Sequence, residues 1–131
     1  MENFQFSMPT QVYFGKDEIK QLPAVISQYG KRVLLTYGGG SIKRMGIYDK
    51  VKELLADCEI FELGGIVPNP RVESVREGAA ICKKEKIDVV LAIGGGSVID
   101  CSKGTPVRDK PFVECKFYCP CNRYARVYPF K

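Results

Sequence analysis

The sequence contains no histidine. Histidine is the side chain that most often acts as a general base near neutral pH, and its imidazole is a frequent ligand of zinc and iron. No Ser-His-Asp triad, no histidine base and no histidine metal ligand can therefore come from these 131 residues. This single absence excludes more chemistry than any motif in the chain suggests.

Long apolar runs are missing as well. No window of the sequence approaches the roughly 18 consecutive apolar residues that a membrane-spanning helix requires. The first residues, MENFQFSMPT, lack the basic and apolar regions of a secretion signal. These absences predict a cytoplasmic protein that does not enter a membrane, and in that compartment its six cysteines are expected to be thiols.

Excess positive charge is scarce in most of the chain. The net charge is +5, but residues 1–104 carry 14 Lys and Arg against 13 Asp and Glu. Residues 105–131 carry six Lys and Arg against two Asp and Glu, so the excess lies near the end. Nucleic-acid binding needs a basic stripe on a folded surface. The nearly neutral body of the chain predicts no nucleic-acid partner.

What the sequence does contain is an alternation of strand-like and helix-like segments over residues 1–104. Three apolar runs predict buried strands: KRVLLTY, CEIFEL and DVVLAI. Three segments with helical spacing lie around them: DEIKQLPAVISQYG, SIKRMGIYDKVKELLAD and VESVREGAAICKKEK. Pro23 predicts a kink or a late start in the first of these helices.

Strands separated by helices pair in parallel through right-handed crossovers. The pattern therefore predicts an α/β fold with a Rossmann-like open parallel sheet and flanking helices. Two short segments around Pro9, FQFSM and QVYFG, add an amino-terminal hairpin to this prediction.

Two glycine clusters follow two of the predicted strands. The first glycine cluster, Gly38–Gly40, is followed by Ser41, and the second glycine cluster, Gly94–Gly96, is followed by Ser97. Ligands of open parallel sheets bind at the carboxyl ends of the strands, and glycine lets a ligand reach the backbone without meeting a Cβ atom. Both clusters are therefore candidate binding sites.

The second cluster has two interpretations. Ser97 and Asp100 have the spacing of a capping box that closes the start of a helix. Alternatively, the amides of Gly95, Gly96 and Ser97 bind a pyrophosphate at the positive end of that helix. The cluster has neither the third glycine of G-x-G-x-x-G nor the Gly-Lys pair of a P-loop, so its spacing leaves both interpretations open.

The first cluster has two interpretations as well. If it bound the pyrophosphate, Glu62 at the end of the next strand would accept the ribose 2′-hydroxyl, which favours NAD. If the second cluster binds the pyrophosphate, the first lies one strand away, near the adenosine ribose. Ser41, Lys43 and Arg44 would then lie near a 2′-phosphate, which favours NADP, although such lysine and arginine side chains more often form a solvated helix face.

Four segments occur in an order that resembles a known family: FGKDEIKQL, TYGGGSIKRMGIYDKVKELL, FELGGIVPNP and DVVLAIGGGSVIDCSK. Together they resemble the amino-terminal cofactor domain of the iron-containing alcohol dehydrogenases. The resemblance is strongest to the branch of NADPH-dependent butanol dehydrogenases and aldehyde reductases, and it covers residues 1–104.

The resemblance implies roles for particular residues. Gly95, Gly96 and Ser97 would hold the cofactor pyrophosphate, Asp100 would face the nicotinamide side, and Asn69 would line the cofactor groove.

Relatives that prefer NAD carry an aspartate at the place of Gly39, so Gly38, Gly39 and Ser41 are implied to receive the ribose phosphate of NADP(H). The implied reaction is reversible hydride transfer between a primary alcohol and NADP, or an aldehyde and NADPH, at Fe²⁺ or Zn²⁺.

The sequence departs from this family after Gly104. The family holds its metal with one aspartate and three histidines of a separate helical domain, so no catalytic residue and no metal ligand is expected in this chain. Residues 105–131 are predicted to be an atypical, irregular tail, disordered or read out of frame. We therefore expect a truncated polypeptide that is inactive alone. Full-length relatives are expected to act on small alcohols or aldehydes. A homodimer is one assembly that the sequence allows.

Two alternatives to an enzyme fragment remain at this point. The chain could be a dinucleotide-binding module without turnover. It could also bind zinc through Cys115, Cys119 and Cys121, with Cys101 as a fourth thiolate, although Cys119 and Cys121 are too close for the usual C-x₂₋₄-C spacing.

Overall fold

The computed structural model describes residues 3–5, 11–14, 18–67, 71–104, 112–118 and 122–128. These residues form six strands: β1 (Gln11–Phe14), β2 (Arg32–Tyr37), β3 (Glu59–Leu63), β4 (Val89–Ile93), β5 (Phe112–Tyr118) and β6 (Asn122–Tyr128). They also form five α-helices: α1 (Leu22–Ser27), α2 (Ser41–Arg44), α3 (Ile47–Leu54), α4 (Val72–Lys84) and α5 (Gly96–Gly104). Among these helices, none is both long and apolar enough to cross a membrane.

The strands form one sheet in the order β1-β6-β5-β4-β2-β3. Strands β3, β2, β4 and β5 are parallel, and β6 and β1 are added to the β5 edge in antiparallel pairing. The predicted Rossmann-like open parallel sheet with flanking helices is confirmed. Strands β2 and β4 are the inner two of the four parallel strands, which explains why almost every residue of both strands is buried.

The order of the strands places a topological switch between β2 and β4. The chain passes from β2 outward to β3, then returns and places β4 on the other side of β2. The connections that leave the carboxyl ends of β2 and β4 therefore diverge. In open α/β sheets, ligands bind outside the carboxyl ends of the strands at such a switch point.

Each face of the sheet has its own core. On one face, Leu35, Leu91 and Ile93 pack with buried residues of α1 and α3. On the other face, Leu34, Val90 and Ala92 pack with buried residues of α4 and α5. The two layers of helices hold the central strands in register, so the carboxyl edge of β2 and β4 is a rigid platform.

Two predicted helices differ from their observed form. A 3₁₀ turn at Glu18–Gln21 precedes α1, and Pro23 lies at the start of α1, which confirms the late start rather than the kink. The single helix predicted after the first glycine cluster is wrong, because α2 ends at Arg44 and α3 begins at Ile47. Gly46 between them has φ +72, a left-handed conformation that an α-helix does not continue through.

The prediction of an irregular tail is wrong for the residues of strands β5 and β6. Strand β5 pairs with β4 and satisfies backbone groups that a sheet edge would leave unpaired. The sequence signal was the alternation of apolar and charged residues in VECKF, residues 113–117. Of the predicted amino-terminal hairpin, β1 pairs with β6, and most of the segment FQFSM lies outside the described residues.

Candidate functional site

The two glycine clusters lie side by side at the carboxyl edge of the sheet. Tyr37 of β2 is in register with Ile93 of β4, so Gly38 and Gly94 leave neighbouring parallel strands at the same level. Neighbouring strands are about 4.8 Å apart. The structure thus brings together two segments separated by about fifty residues of sequence, at the switch between β2 and β4.

The second cluster is a tight turn into a helix. Gly94 has φ +149, and a Cβ atom there would lie 3.0 Å from Val98 Cγ2. Helix α5 begins at Gly96, and the Ile99 N–H donates to the Gly95 carbonyl at 3.2 Å. The amides that precede Ile99 have no acceptor within the helix and form the positive end of its dipole. They are a suitable site for an anion.

Ser97 lies inside this helix rather than before it. A capping box needs the serine at the position that precedes the first helical residue, and Gly95 holds that position. The capping interpretation of Ser97 and Asp100 is therefore wrong. Ser97 is half-buried in the first turn, and Asp100 is exposed in the second turn.

Four glycines in the two clusters face open space. Cβ atoms built on them would meet no heavy atom within 4 Å, and none of the four has a left-handed φ. Neither packing nor a left-handed φ requires glycine at these positions, and the backbone there is open to a ligand from outside. The four residues are Gly39, Gly40, Gly95 and Gly96.

The first cluster is attached to the loop that follows β3. The Gly65 N–H donates to the Gly38 carbonyl at 2.9 Å, and the Ile66 N–H donates to the Tyr37 carbonyl at 3.2 Å. Gly38 is half-buried, and a Cβ atom on it would lie 3.2 Å from the Ile66 carbonyl oxygen. These contacts hold the first cluster in place beside the second.

Next to the first cluster lies a group that we call the charged aromatic cluster: Tyr37, Lys43, Tyr48, Lys52 and Glu62. The two tyrosine rings meet edge to face with centroids 5.7 Å apart. Lys43 Nζ lies 5.5 Å from the Tyr37 ring centre and 5.0 Å from the Tyr48 ring centre. The Tyr48 hydroxyl donates to Glu62 Oε1, and Lys52 Nζ lies 3.3 Å from the same oxygen.

The pKa values of two groups in this cluster reflect these contacts. The hydrogen bond to Glu62, with partial burial, raises the pKa of Tyr48 from 10.0 to about 12. Burial raises the pKa of Glu62, but the hydrogen bonds from Tyr48 and Lys52 and the charges of Lys52 and Lys43 outweigh it. The resulting pKa lies below the ordinary value. At neutral pH the tyrosine is therefore protonated and the glutamate is ionised.

Most of the residues predicted from the sequence lie at one edge. Gly38 and Gly39, the start of α2 at Ser41, and the start of α5 with Gly95, Gly96, Ser97 and Asp100 all lie at the carboxyl ends of β2 and β4. Glu62 lies one strand further, at the end of β3, and binds Tyr48 and Lys52. Asn69 and the side chain of Ser41 lie outside what the structure describes.

Two features near the site were not predicted from the sequence. Tyr48 and Lys52 have the i, i+4 spacing of neighbours on one helix face, and that spacing could have marked them. No local pattern could have linked the buried hydroxyls of Thr36 and Ser102, whose oxygens are 2.6 Å apart. Ser102 also donates to the Val98 carbonyl at 2.6 Å, so this pair joins β2 to α5.

The described residues do not fit a metal centre. Nowhere in them do three His, Cys, Asp or Glu side chains come together. Cys101, a proposed zinc ligand, is 1% exposed in the core between the sheet and α4, and burial raises the pKa of its thiol. Cys119 and Cys121 lie outside the described residues, so the structure gives no support to a zinc site with Cys101.

Known proteins match most of this chain, including the two glycine clusters. The sequence profile of the iron-containing alcohol dehydrogenases matches residues 9–111. The probable NADH-dependent butanol dehydrogenase 1 of Bacillus subtilis is 55% identical over 105 residues, which is 79% of this chain and 27% of that protein. The NADPH-dependent aldehyde reductase YqhD of Escherichia coli is 42% identical over 103 residues, 79% of this chain and 26% of that protein.

Solved structures share the fold. The NADH-dependent butanol dehydrogenase A of Thermotoga maritima matches with a TM-score of 0.72 and 45% identity, over 79% of this chain and 27% of that one. The substrate- and cofactor-free form of the Escherichia coli aldehyde reductase YqhD matches with a TM-score of 0.69 and 40% identity, over 78% of this chain and 27% of that one. The chain thus spans about a quarter of the length of these relatives.

Proposed function

Because the chain belongs to the iron-containing alcohol dehydrogenase family, we propose that residues 1–104 are its dinucleotide-binding domain and bind NADP(H). The observation that carries the proposal is the set of four glycines that open on empty space at the switch between β2 and β4. The pyrophosphate of a dinucleotide needs such a surface, because a Cβ atom there would keep the phosphates from the backbone amides.

The two clusters are proposed to hold different parts of the cofactor. Helix α5 has nine residues and unbonded amides at its start, so Gly95, Gly96 and Ser97 are proposed to hold the pyrophosphate. Gly38, Gly39 and Ser41 are proposed to receive the adenosine ribose with its 2′-phosphate. Asp100, one turn along α5, is proposed to face the nicotinamide.

The resemblance to the family also supports a role for Asn69. Its segment, PNP, follows the loop after β3, and we propose that Asn69 lines the cofactor groove. When bound, the nicotinamide would supply the hydride chemistry, and the residues of this chain would bind and orient it.

The preference for NADP over NAD is a finer proposal. Both cofactors occur among the relatives, since the Bacillus protein is named NADH-dependent and the Escherichia coli protein NADPH-dependent. Two features of this chain favour NADP. Gly39 carries no carboxylate that would repel a 2′-phosphate, and the ionised Glu62 is bound by Tyr48 and Lys52.

The proposed reaction of the whole enzyme is hydride transfer between a primary alcohol or aldehyde and the cofactor, as in a butanol dehydrogenase. The family name implies a metal, Fe²⁺ or Zn²⁺, but the described residues do not fit one. We therefore propose that the 131-residue chain alone binds the cofactor without turnover. The family match ends at residue 111, and β5 and β6 extend the same sheet beyond it.

Titration calorimetry of the purified chain with NADPH and NADH tests the binding proposal. We expect saturable binding of both nucleotides, tighter for NADPH, and no aldehyde reduction by the chain with NADPH and added Fe²⁺ or Zn²⁺. The variant Gly95→Ala is expected to weaken NADPH binding about tenfold, because the new Cβ atom would occupy the space of the pyrophosphate.

The matched control is Gly104→Ala, at the other end of helix α5. A Cβ atom on Gly104 would make an ordinary contact of 3.4 Å with Val75 Cγ2, so this variant is expected to bind NADPH like the parent chain. Failure of a folded parent chain to bind either nucleotide would refute the proposed function. Equal binding of NADPH and NADH would refute only the preference for NADPH. Turnover by the chain would refute the proposal that it binds the cofactor without catalysis.

A further inference from the structure

The charged aromatic cluster has a composition that bears on the second half of the cofactor. It stands directly beside the first glycine cluster, since Tyr37 precedes Gly38 and Lys43 lies on the short helix that follows Gly40. Glu62 is the acidic group of this cluster and lies at the carboxyl end of β3. An unrestrained carboxylate at this strand end would add a negative charge beside the first glycine cluster, where the ribose is proposed to bind.

The Glu62 carboxylate is already engaged by the protein. Its Oε1 atom accepts the Tyr48 hydroxyl hydrogen, and Lys52 Nζ lies 3.3 Å from the same atom. Tyr48 and Lys52 both lie on α3, so a single helix holds the carboxylate. A ribose hydroxyl would have to compete with two donors, one of them charged.

The charges of the cluster do not cancel. Lys43 and Lys52 contribute two positive charges and Glu62 one negative charge, while Tyr48 is neutral. The aromatic rings hold Lys43 in place by cation–π contacts with Tyr37 and Tyr48. Asp49, the residue after Tyr48 on α3, is a further negative charge outside this cluster. The cluster therefore has an excess of one positive charge.

We propose that Tyr48 and Lys52 determine the cofactor selectivity of this domain by holding the Glu62 carboxylate. With Glu62 held, the carboxylate is kept from the ribose 2′-position and a net positive charge remains beside the first glycine cluster. The charge attracts a 2′-phosphate, while an unrestrained carboxylate would repel it and would accept a 2′-hydroxyl. This inference rests on the proposed function and assigns Tyr48 and Lys52 as positioning residues that act through Glu62.

The test compares the ratio of the NADPH and NADH dissociation constants among variants of the full 131-residue chain. Tyr48→Phe keeps the ring and its contacts but removes the donor to Glu62. We expect the preference for NADPH over NADH to fall about fivefold in this variant, which is the size of one ordinary hydrogen bond exposed in part to water. Lys52→Gln is expected to shift the ratio in the same direction.

A second background shows whether Tyr48 acts through Glu62. Glu62→Gln removes the charge that Tyr48 holds, so adding Tyr48→Phe to it is expected to cause no further change in the ratio. Tyr29, which precedes the amino end of β2, provides the matched control. Tyr29→Phe is expected to leave the ratio of the NADPH and NADH dissociation constants unchanged.

Two results would overturn this inference while the proposed function stands. In the first, both nucleotides would still bind and Tyr48→Phe would leave the preference for NADPH unchanged. In the second, Tyr48→Phe would lower this preference by the same factor in the Glu62→Gln background as in the parent chain. If the folded parent chain bound neither nucleotide, the proposed function would fall and this inference with it.

Discussion

The two glycine clusters share the letters Gly-Gly-Gly-Ser, but the segments that follow them fold differently. After Gly94–Gly96 the chain forms the nine-residue helix α5, whereas after Gly38–Gly40 it forms only the four residues of α2 before Gly46 interrupts it. A full helix supplies a dipole and a set of unbonded amides, and a single short turn does not. The same motif therefore suits a pyrophosphate at one strand end and a ribose at the next.

A second difference separates glycines within a cluster. Gly94 is required by the fold, because of its φ of +149 and the nearness of Val98. Gly95 and Gly96, the next two residues, have no neighbour that a Cβ atom would meet within 4 Å. Substitution of Gly94 should therefore lower stability, whereas substitution of Gly95 or Gly96 should mainly weaken ligand binding.

The largest expected effect is that of Gly94→Ala on stability. The substitution forces an alanine into a conformation that L-residues rarely adopt and against Val98 Cγ2, so we expect the free energy of unfolding to fall by about 2 to 3 kcal/mol. Urea denaturation measures this. Gly96→Ala is the control and should change the free energy by less than about 0.5 kcal/mol, because a Cβ atom there meets no neighbour within 4 Å. Equal losses in both variants would remove the distinction between the two glycines.

The next effect concerns the first cluster alone. Gly39→Asp places a carboxylate where a 2′-phosphate is proposed to bind, and we expect NADPH affinity to fall about twentyfold relative to NADH, because like charges repel. Calorimetric titration with both nucleotides measures the ratio. Gly39→Asn has nearly the same shape without the charge, so a similar loss in that variant would show that size, not charge, is responsible.

A smaller effect is expected where the two clusters are joined. The buried hydroxyls of Thr36 and Ser102 connect the strand before the first cluster to the helix after the second. Ser102→Ala is expected to lower the free energy of unfolding by about 1 kcal/mol, since it removes a partner of a fully buried hydroxyl. Urea denaturation of the double variant with Thr36→Val should show less than the sum of the two losses, and strict additivity would argue against a coupled pair.

The smallest effect is a dependence of stability on pH at Glu62. Its pKa in the folded protein lies below the ordinary value of 4.5, so its contribution is present above pH 4.5 and is lost as the pH falls through the folded pKa. The contribution is at most about 0.5 kcal/mol, because water screens half-exposed charges. Comparing denaturation of the parent chain and Glu62→Gln at about pH 7 and about pH 3 measures it. A parent chain that loses no more stability on acidification than Glu62→Gln would contradict this assignment.

Much of the fold could be predicted from the sequence, for a local reason. The apolar runs of β2 and β4 and the helical spacing of α4 record how deeply each segment is buried, and burial pattern follows the period of the secondary structure. The break at Gly46 was missed because the apolar spacing continues across it, although the glycine itself was visible. Strands β5 and β6 were missed because their short alternation was not recognised.

The candidate site was predictable in part. Glycines after buried strands mark the edge where ligands bind, and this placed both clusters correctly at the carboxyl ends of β2 and β4. The partners of Glu62 were not predictable, because nothing in the spacing of Tyr48 and Lys52 indicates which strand end they face. Their contact depends on how α3 packs over the sheet.

By itself, the sequence determined the alternation of strands and helices from β2 to α5, the position of the two glycine clusters at strand ends, and the lack of any histidine ligand. These follow from residue type and local period. Only the tertiary structure decided that β4 returns to pair with β2, which places the clusters side by side, and that Tyr48 holds Glu62. Both depend on contacts between distant segments, which are selected by the packing of the whole sheet and are not encoded in any local pattern.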